Sequence, residues 1–216
     1  MRTLIFFGAP GSGKGTLSKR FSQHFKTSIV STGDMLRKQV HEKTSLGKQV
    51  QETLSRGSLV ADTLVQSILV EELASQQSRH LLLDGFPRTV TQAQWLCSAL
   101  SKHGRAADAV VHLDVPEDVI LKRIEDRWIH APSGRTYNMS FNPPKVEGVD
   151  DVTGEALSKR ADDDLDTIKA RIEAFNQTTT PILSYYRKKG LLKTVTGETS
   201  DQLFPQIQTS LKPLFQ

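Results

Sequence analysis

The chain has 216 residues, and against about 150 residues per domain that means one domain, or one domain carrying insertions. Apolar residues make up 37% and charged residues 24%, with a mean hydropathy of -0.36; this balance excludes an extended disordered chain, and no apolar run approaches the ~20 residues of a membrane-spanning helix. A single cysteine, Cys97, excludes an intrachain disulfide and a thiolate zinc site, fits a reducing compartment, and reads as an inert, buried or half-buried thiol.

The formal charge of +4 and a pI near 9.2 invite a polyanionic partner. Nucleic acid is not the expected one, because the arginines are dispersed and aromatics are only 6%, whereas polynucleotide surfaces need basic clusters interleaved with aromatics. A nucleotide site needs only a few well-placed cations. No acidic residue precedes Asp34, while Arg2, Lys14, Lys19, Arg20 and Lys26 do. That bias reads either as an uncleaved mitochondrial import signal or as the basic strand, loop and helix of a phosphate site.

In chain order, residues 3–7 form an apolar run of strand length that Gly8 ends, and Leu17, Phe21 and Phe25 then recur at helical spacing. Further buried strands are expected at residues 28–31, 80–83, 109–113 and 192–195, each continuously apolar rather than alternating, as strands covered on both faces are. Helices are expected over residues 34–40, 89–101, 117–127 and from 200 onward, Pro116 starting the third. The order is βα repeated, which predicts an α/β fold with a central parallel five-stranded sheet. Two stretches depart from it. Residues 33–77 read as a helical insertion broken at Gly47 and at Gly57-Ser58, and residues 128–164 as a turn-rich excursion around short β pieces. Both follow the carboxyl ends of predicted strands, where ligands bind in open α/β sheets, so both read as covers over a site.

Gly8-Ala9-Pro10-Gly11-Ser12-Gly13-Lys14-Gly15-Thr16 matches GxxxxGK between a strand and a helix. Glycines there let backbone N–H groups converge on phosphate oxygens, the helix N-terminus adds positive potential, and the lysine reaches the terminal phosphates. The fold is therefore a three-layer P-loop fold. Gly11, Ser12, Gly13, Lys14, Gly15 and Thr16 are the expected donor-nucleotide contacts. Gly15 stands where a Ser or Thr would bring a hydroxyl to Mg²⁺, and Thr16 follows one position later. His80-Leu81-Leu82-Leu83-Asp84 ends an apolar run in a carboxylate, suited to orienting Mg²⁺ through water. Gly85 and Pro87 then make a turn that aims the Arg88 fork into the cleft.

With residues 8–16, 31–37, 82–88, 141–144 and 160–163 in this order, the chain resembles the adenylate kinases, the nucleoside monophosphate kinases, over nearly its whole length. The resemblance implies a core of residues 1–30, 61–127 and 165–216, an AMP-binding insertion at 31–60 and a closing lid at 128–164. It implies an AMP site at Thr32, Arg37, the 58–60 backbone (Ser58, Leu59, Val60), Gly85, Arg88, Gln92, Arg160 and Arg171. It gathers Lys14, Arg88, Arg123, Arg127, Arg160 and Arg171 around the transferred phosphoryl group, and places Thr136, Tyr137 and Thr199 near the donor base. Arg123 and Arg127, four apart in the expected helix, would share one face. An amide at Gln92 both donates and accepts, matching the N6/N1 edge of adenine. His130, Ser133, Asp150 and Thr153 have the paired spacing at which some relatives carry zinc cysteines; two hydroxyl residues are poor zinc ligands, so a hydrogen-bonded quartet without zinc is expected. Trp95 reads as core packing and Trp128 as packing at the start of the lid.

Residues 127–130, 185–190 and 197–200 look like the mitochondrial GTP:AMP phosphotransferases of this family, while residues 142–154 also resemble bacterial ATP:AMP enzymes. The resemblance thus implies transfer from a Mg-nucleoside triphosphate to AMP, with GTP the favoured donor and ATP the alternative. It further implies a monomer without nucleic-acid or membrane partners, in the mitochondrial matrix or alternatively the cytoplasm. A catalytically weak nucleotide-binding interaction protein on the same fold, and a polynucleotide-stimulated ATPase, are readings of other classes.

Overall fold

A computed structural model describes residues 1–216 except Gly57, Leu59, Gln77, Ala161, Asp162 and Gln216, and the side chain of Leu165. Strand β1 (Arg2–Gly8) leads through the glycine loop into α1 (Lys14–Phe25), then β2 (Ser28–Ser31), α2 (Thr32–His41), α3 (Ser45–Ser55), α4 (Asp62–Ser75) and β3 (His80–Asp84). There follow α5 (Val90–Lys102), β4 (Ala109–Asp114), α6 (Glu117–Glu125), the hairpin β5 (Arg127–His130) and β6 (Arg135–Asn138), α7 (Leu165–Lys188), β7 (Leu192–Thr196) and α8 (Ser200–Leu211). Among the described residues no helix is long and apolar enough to cross a membrane.

Five strands make one parallel sheet in the order β2-β3-β1-β4-β7. Each central strand alternates its side chains between two cores, one per face. Leu4, Phe6, Leu82, Val111 and Leu113 join Leu17 and Phe21 of α1, Ile120 and Ile124 of α6, and Leu203 and Ile207 of α8. Ile5, Phe7, Leu81, Leu83 and Val110 join Leu69 of α4, Leu96 and Leu100 of α5, and Ile182 of α7. This double coverage is why the strands read as unbroken apolar runs. Because α1 leaves β1 on one face and α5 leaves β3 on the other, a crevice opens at the carboxyl ends of these two strands.

Several boundaries differ from the sequence reading, each for a local reason. Helix α2 begins two residues early because the Ser31 hydroxyl accepts from Asp34 N at 3.3 Å and caps it. Thr89 is not helical but caps α5. The expected helix over 117–127 stops at Glu125, and Arg127 opens the β5–β6 hairpin instead, paired with Asn138; Arg123 and Arg127 therefore do not share a helix face. Gly47 does not break the insertion. It lies buried inside α3, where an added Cβ would sit 2.0 Å from Gln39 O. Glycine is what lets α3 cross the end of α2 this closely, and the break falls at Lys43, in the left-handed region at φ 53°. Cys97 is exposed rather than buried, whereas Trp95 packs edge-on against Phe86 in the core at 5.8 Å.

Candidate active site

The crevice is a single cavity of about 670 Å³ floored by the glycine loop and the ends of β1 and β3 and walled by α2, α6, the hairpin, α7 and the start of α8. Gly11, at φ 81°, can take the loop's left-handed turn, and a Cβ there would strike Ile124 at 2.7 Å. Gly13 caps α1, and Gly13, Lys14, Gly15 and Thr16 line the cavity. Ser12 does not join them: its side chain is buried, and its N–H is bonded to Ala9 O at 3.1 Å.

Lys14 folds back over its own loop, its Nζ donating to Gly8 O at 2.6 Å and Ala9 O at 2.8 Å. Burial pushes its pKa down to about 8; the Asp84 carboxylate opposes the shift, and Arg88, Arg171 and Arg127 add to it. Burial also pushes the Asp84 carboxyl up, against the pull of Lys14. A Cβ built on Gly15 would stand 3.9 Å from Asp84 Oδ2. The position that lacks a hydroxyl is thus the one beside the carboxylate.

Arginines dominate the remaining wall. Burial lowers Arg88 to about 10, with Arg171 and Arg37 adding repulsion, so it remains charged at neutral pH; its Nε donates to Gly85 O at 2.9 Å, which fixes the fork. Arg37 pairs with Asp34 at 2.5 Å. Arg123 Nη1 donates to Gly11 O at 3.3 Å and Nη2 to Glu198 O, tying the loop to the turn before α8. Arg127 forks onto Asp163, Nε donating to Oδ2 at 2.7 Å and Nη2 to Oδ1. Arg160 and Arg171 line the same space. These arginines and Lys14 thus face one cavity, a concentration of positive charge suited to an anionic ligand.

A smaller annex opens beneath α2 and α4, lined by Thr32, Ser58, Val60, Gly85, Arg88, Gln92 and Arg171 among others. Leu59 lies outside the described residues. Gln92 is 2% exposed, and its amide is already engaged: Oε1 accepts from Arg88 N and Nε2 donates to Asp62 Oδ1, each at 2.6 Å. The sequence reading missed Asp62, whose position at a helix start carries no signal of a partner 30 residues away.

Thr136 and Thr199, expected near the donor base, line the cavity. The Thr199 hydroxyl caps α8, accepting from Gln202 N at 3.2 Å. Tyr137 borders the cavity, but its hydroxyl turns into the hairpin, donating to Asp150 Oδ1 at 2.8 Å and accepting from Asp151 N at 2.9 Å. That bond belongs to a network holding the excursion together. His130 Nδ1 meets Ser133 Oγ at 2.7 Å, and Thr153 Oγ1 donates to Asp150 Oδ2 at 3.0 Å. Arg135 Nη2 lies 3.3 Å from His130 Nδ1 and can only donate, so Nε2 carries the proton toward Glu155 Oε2 at 2.5 Å. Arg135 also forks onto Asp150, at 2.7 and 2.6 Å, and holds its carboxyl far below the usual range. Arg135, Tyr137 and Glu155 extend the expected quartet, and their places in the sequence gave no spacing to read.

The adenylate kinase family model matches residues 6–191. The chain is 44% identical over 209 residues to a GTP:AMP phosphotransferase, mitochondrial, of Saccharomyces cerevisiae, covering 94% of this chain and 89% of the relative. It is 40% identical over 207 residues to a Drosophila melanogaster protein of the same name, covering 96% and 94%. It is 44% identical over 202 residues to adenylate kinase 4 of Arabidopsis thaliana, covering 93% and 82%.

Proposed function

The chain belongs to the adenylate kinase family, and from that premise we propose that it transfers the γ-phosphoryl group of a Mg-nucleoside triphosphate reversibly to AMP, with GTP favoured over ATP. The observation that carries this reading is the continuity of the cavity: the glycine loop with Lys14, Arg37 and Arg88, and Arg123, Arg127, Arg160 and Arg171 all line it together. Two nucleotides entering from opposite ends bring their phosphates together among the cations.

Lys14, released from Gly8 O and Ala9 O, holds the donor's terminal phosphates, and Arg88 with Arg37 holds the AMP phosphate. An AMP phosphate oxygen, already ionised at neutral pH, attacks the γ-phosphorus as the bond to the β-phosphate oxygen breaks. No general base is required, and the arginines stabilise charge spread over the equatorial oxygens. Asp84, a buried carboxylate lining the cavity beside Gly15 and coupled to Lys14, fits a hard cation carried in on phosphate. It would hold Mg²⁺ through water, and the ion would supply neutralisation of phosphate charge there. Residues 31–60 serve as the AMP-binding insertion and residues 128–164 as a lid, over a core of 1–30, 61–127 and 165–216; closure excludes the water that would otherwise take the phosphoryl group.

The donor preference rests on the named relatives in yeast and fly, as does a mitochondrial location, for which we favour the matrix. Comparing kcat/KM for Mg-GTP and Mg-ATP at saturating AMP tests it. A GTP preference of about tenfold or more is expected, and an ATP preference overturns the donor assignment.

A further inference from the structure

We infer that Asp62, which does not line the cavity, is a positioning residue that sets the purine specificity of the acceptor site by locking the Gln92 amide in one orientation. The inference rests on the reading of the annex as the AMP site. Oε1 is held by the Arg88 N–H and Nε2 by the Asp62 carboxylate. A backbone N–H can only donate and an ionised carboxylate can only accept, so the assignment of oxygen and nitrogen is unambiguous. Turning the amide over would set its NH₂ against the Arg88 N–H and its C=O against Asp62. In a side chain 2% exposed, neither conflict is relieved by water.

Two hydrogen-bonding positions remain on the amide, one lone pair on Oε1 and one N–H on Nε2. They match a purine edge that offers a donor at the 6-position and an acceptor at N1, as adenine does. A 6-oxo purine offers the reverse, an acceptor at O6 and a donor at N1. With the phosphate anchored at Arg37 and Arg88 the base is not free to turn over, so accepting a 6-oxo purine would require the amide to flip. Asp62 reaches Gln92 from the first turn of α4. It thus removes the degeneracy that makes a free glutamine a poor reader of purines. Asp62→Asn replaces the pure acceptor with a group that also donates, and so does Asp62→Ser; both keep an oxygen at the helix start.

The test is initial rates with AMP and with IMP at saturating Mg-triphosphate, for the wild type and both variants, with thermal melts to establish folding. IMP differs from AMP only at the 6-position and N1. The ratio of kcat/KM for AMP over IMP should fall about tenfold in the variants, from a KM for IMP that drops rather than from a change in kcat. A ratio within about twofold of wild type, in whichever variant folds, overturns the inference while leaving the acceptor reading standing. A wild type that phosphorylates neither nucleotide overturns the acceptor reading, and this inference with it.

Discussion

Arg127 and Asp163 form a two-pronged ion pair, with Nε donating to Oδ2 at 2.7 Å, across 36 residues of chain. The carboxylate is 3% exposed and the guanidinium 17%. Arg127 begins the hairpin and Asp163 lies just before α7, so the pair clasps both roots of the 128–164 excursion and aims a cavity arginine at once. Removing Asp163 leaves an arginine uncompensated among other cations. Asp163→Ala should lower stability by about 3 kcal/mol, the low end for breaking a buried pair because Arg127 keeps some solvent, and should reduce kcat/KM for the triphosphate about tenfold. Urea melts and initial rates check both effects.

The lowered pKa of Lys14 gives the free protein a pH signature. Its ordinary value is 10.5 and its folded value about 8, so between those values the unfolded chain binds a proton that the folded chain does not. Its contribution to stability therefore rises with pH across that window. Triphosphate affinity moves the other way: it falls as pH rises through about 8, because binding must then take up a proton to restore the ammonium. Isothermal titration in buffers of different ionisation enthalpy should register that uptake. Lys14→Met should abolish it and lower kcat/KM by about 10² to 10³.

Gly47 tests the packing of the helical insertion. A methyl group 2.0 Å from Gln39 O and 2.4 Å from Gln39 C meets backbone, which cannot swing aside. Gly47→Ala should cost about 3 kcal/mol or more and, if it folds, raise KM for AMP more than KM for the triphosphate. Chemical denaturation together with two-substrate kinetics separates these effects.

Asp84→Asn keeps the shape of the β3 terminus but removes the charge facing the cavity. It should raise the Mg²⁺ concentration for half-maximal rate about tenfold and lower kcat by about 10², and chelation of Mg²⁺ should stop transfer by the wild type. A rate-against-Mg²⁺ titration for both proteins gives the comparison.

What the sequence made legible follows the range of the forces involved. The five strands and the glycine loop are local: Leu4 to Phe7 and Leu81 to Leu83 are unbroken apolar runs because each strand feeds two cores. Arg127 was misplaced because helical spacing continues past Glu125, and only the pairing of the hairpin, Trp128 with Tyr137 and Ile129 with Thr136, pulls the chain out of the helix. Gly47 read as a breaker because nothing in its neighbourhood announces Gln39 pressing against it. Tyr137 and Gln92 were placed near the nucleotides by the family resemblance, but the partners that occupy their polar atoms, Asp150 and Asp62, are tertiary and had no spacing to betray them.

Phosphoryl transfer to AMP is read out by following triphosphate, diphosphates and free phosphate by anion exchange, in Mg-GTP with and without AMP. GDP and ADP should form one for one, only when AMP is present, with little free phosphate. Triphosphate consumption that yields phosphate regardless of AMP, or no consumption at all, would contradict it.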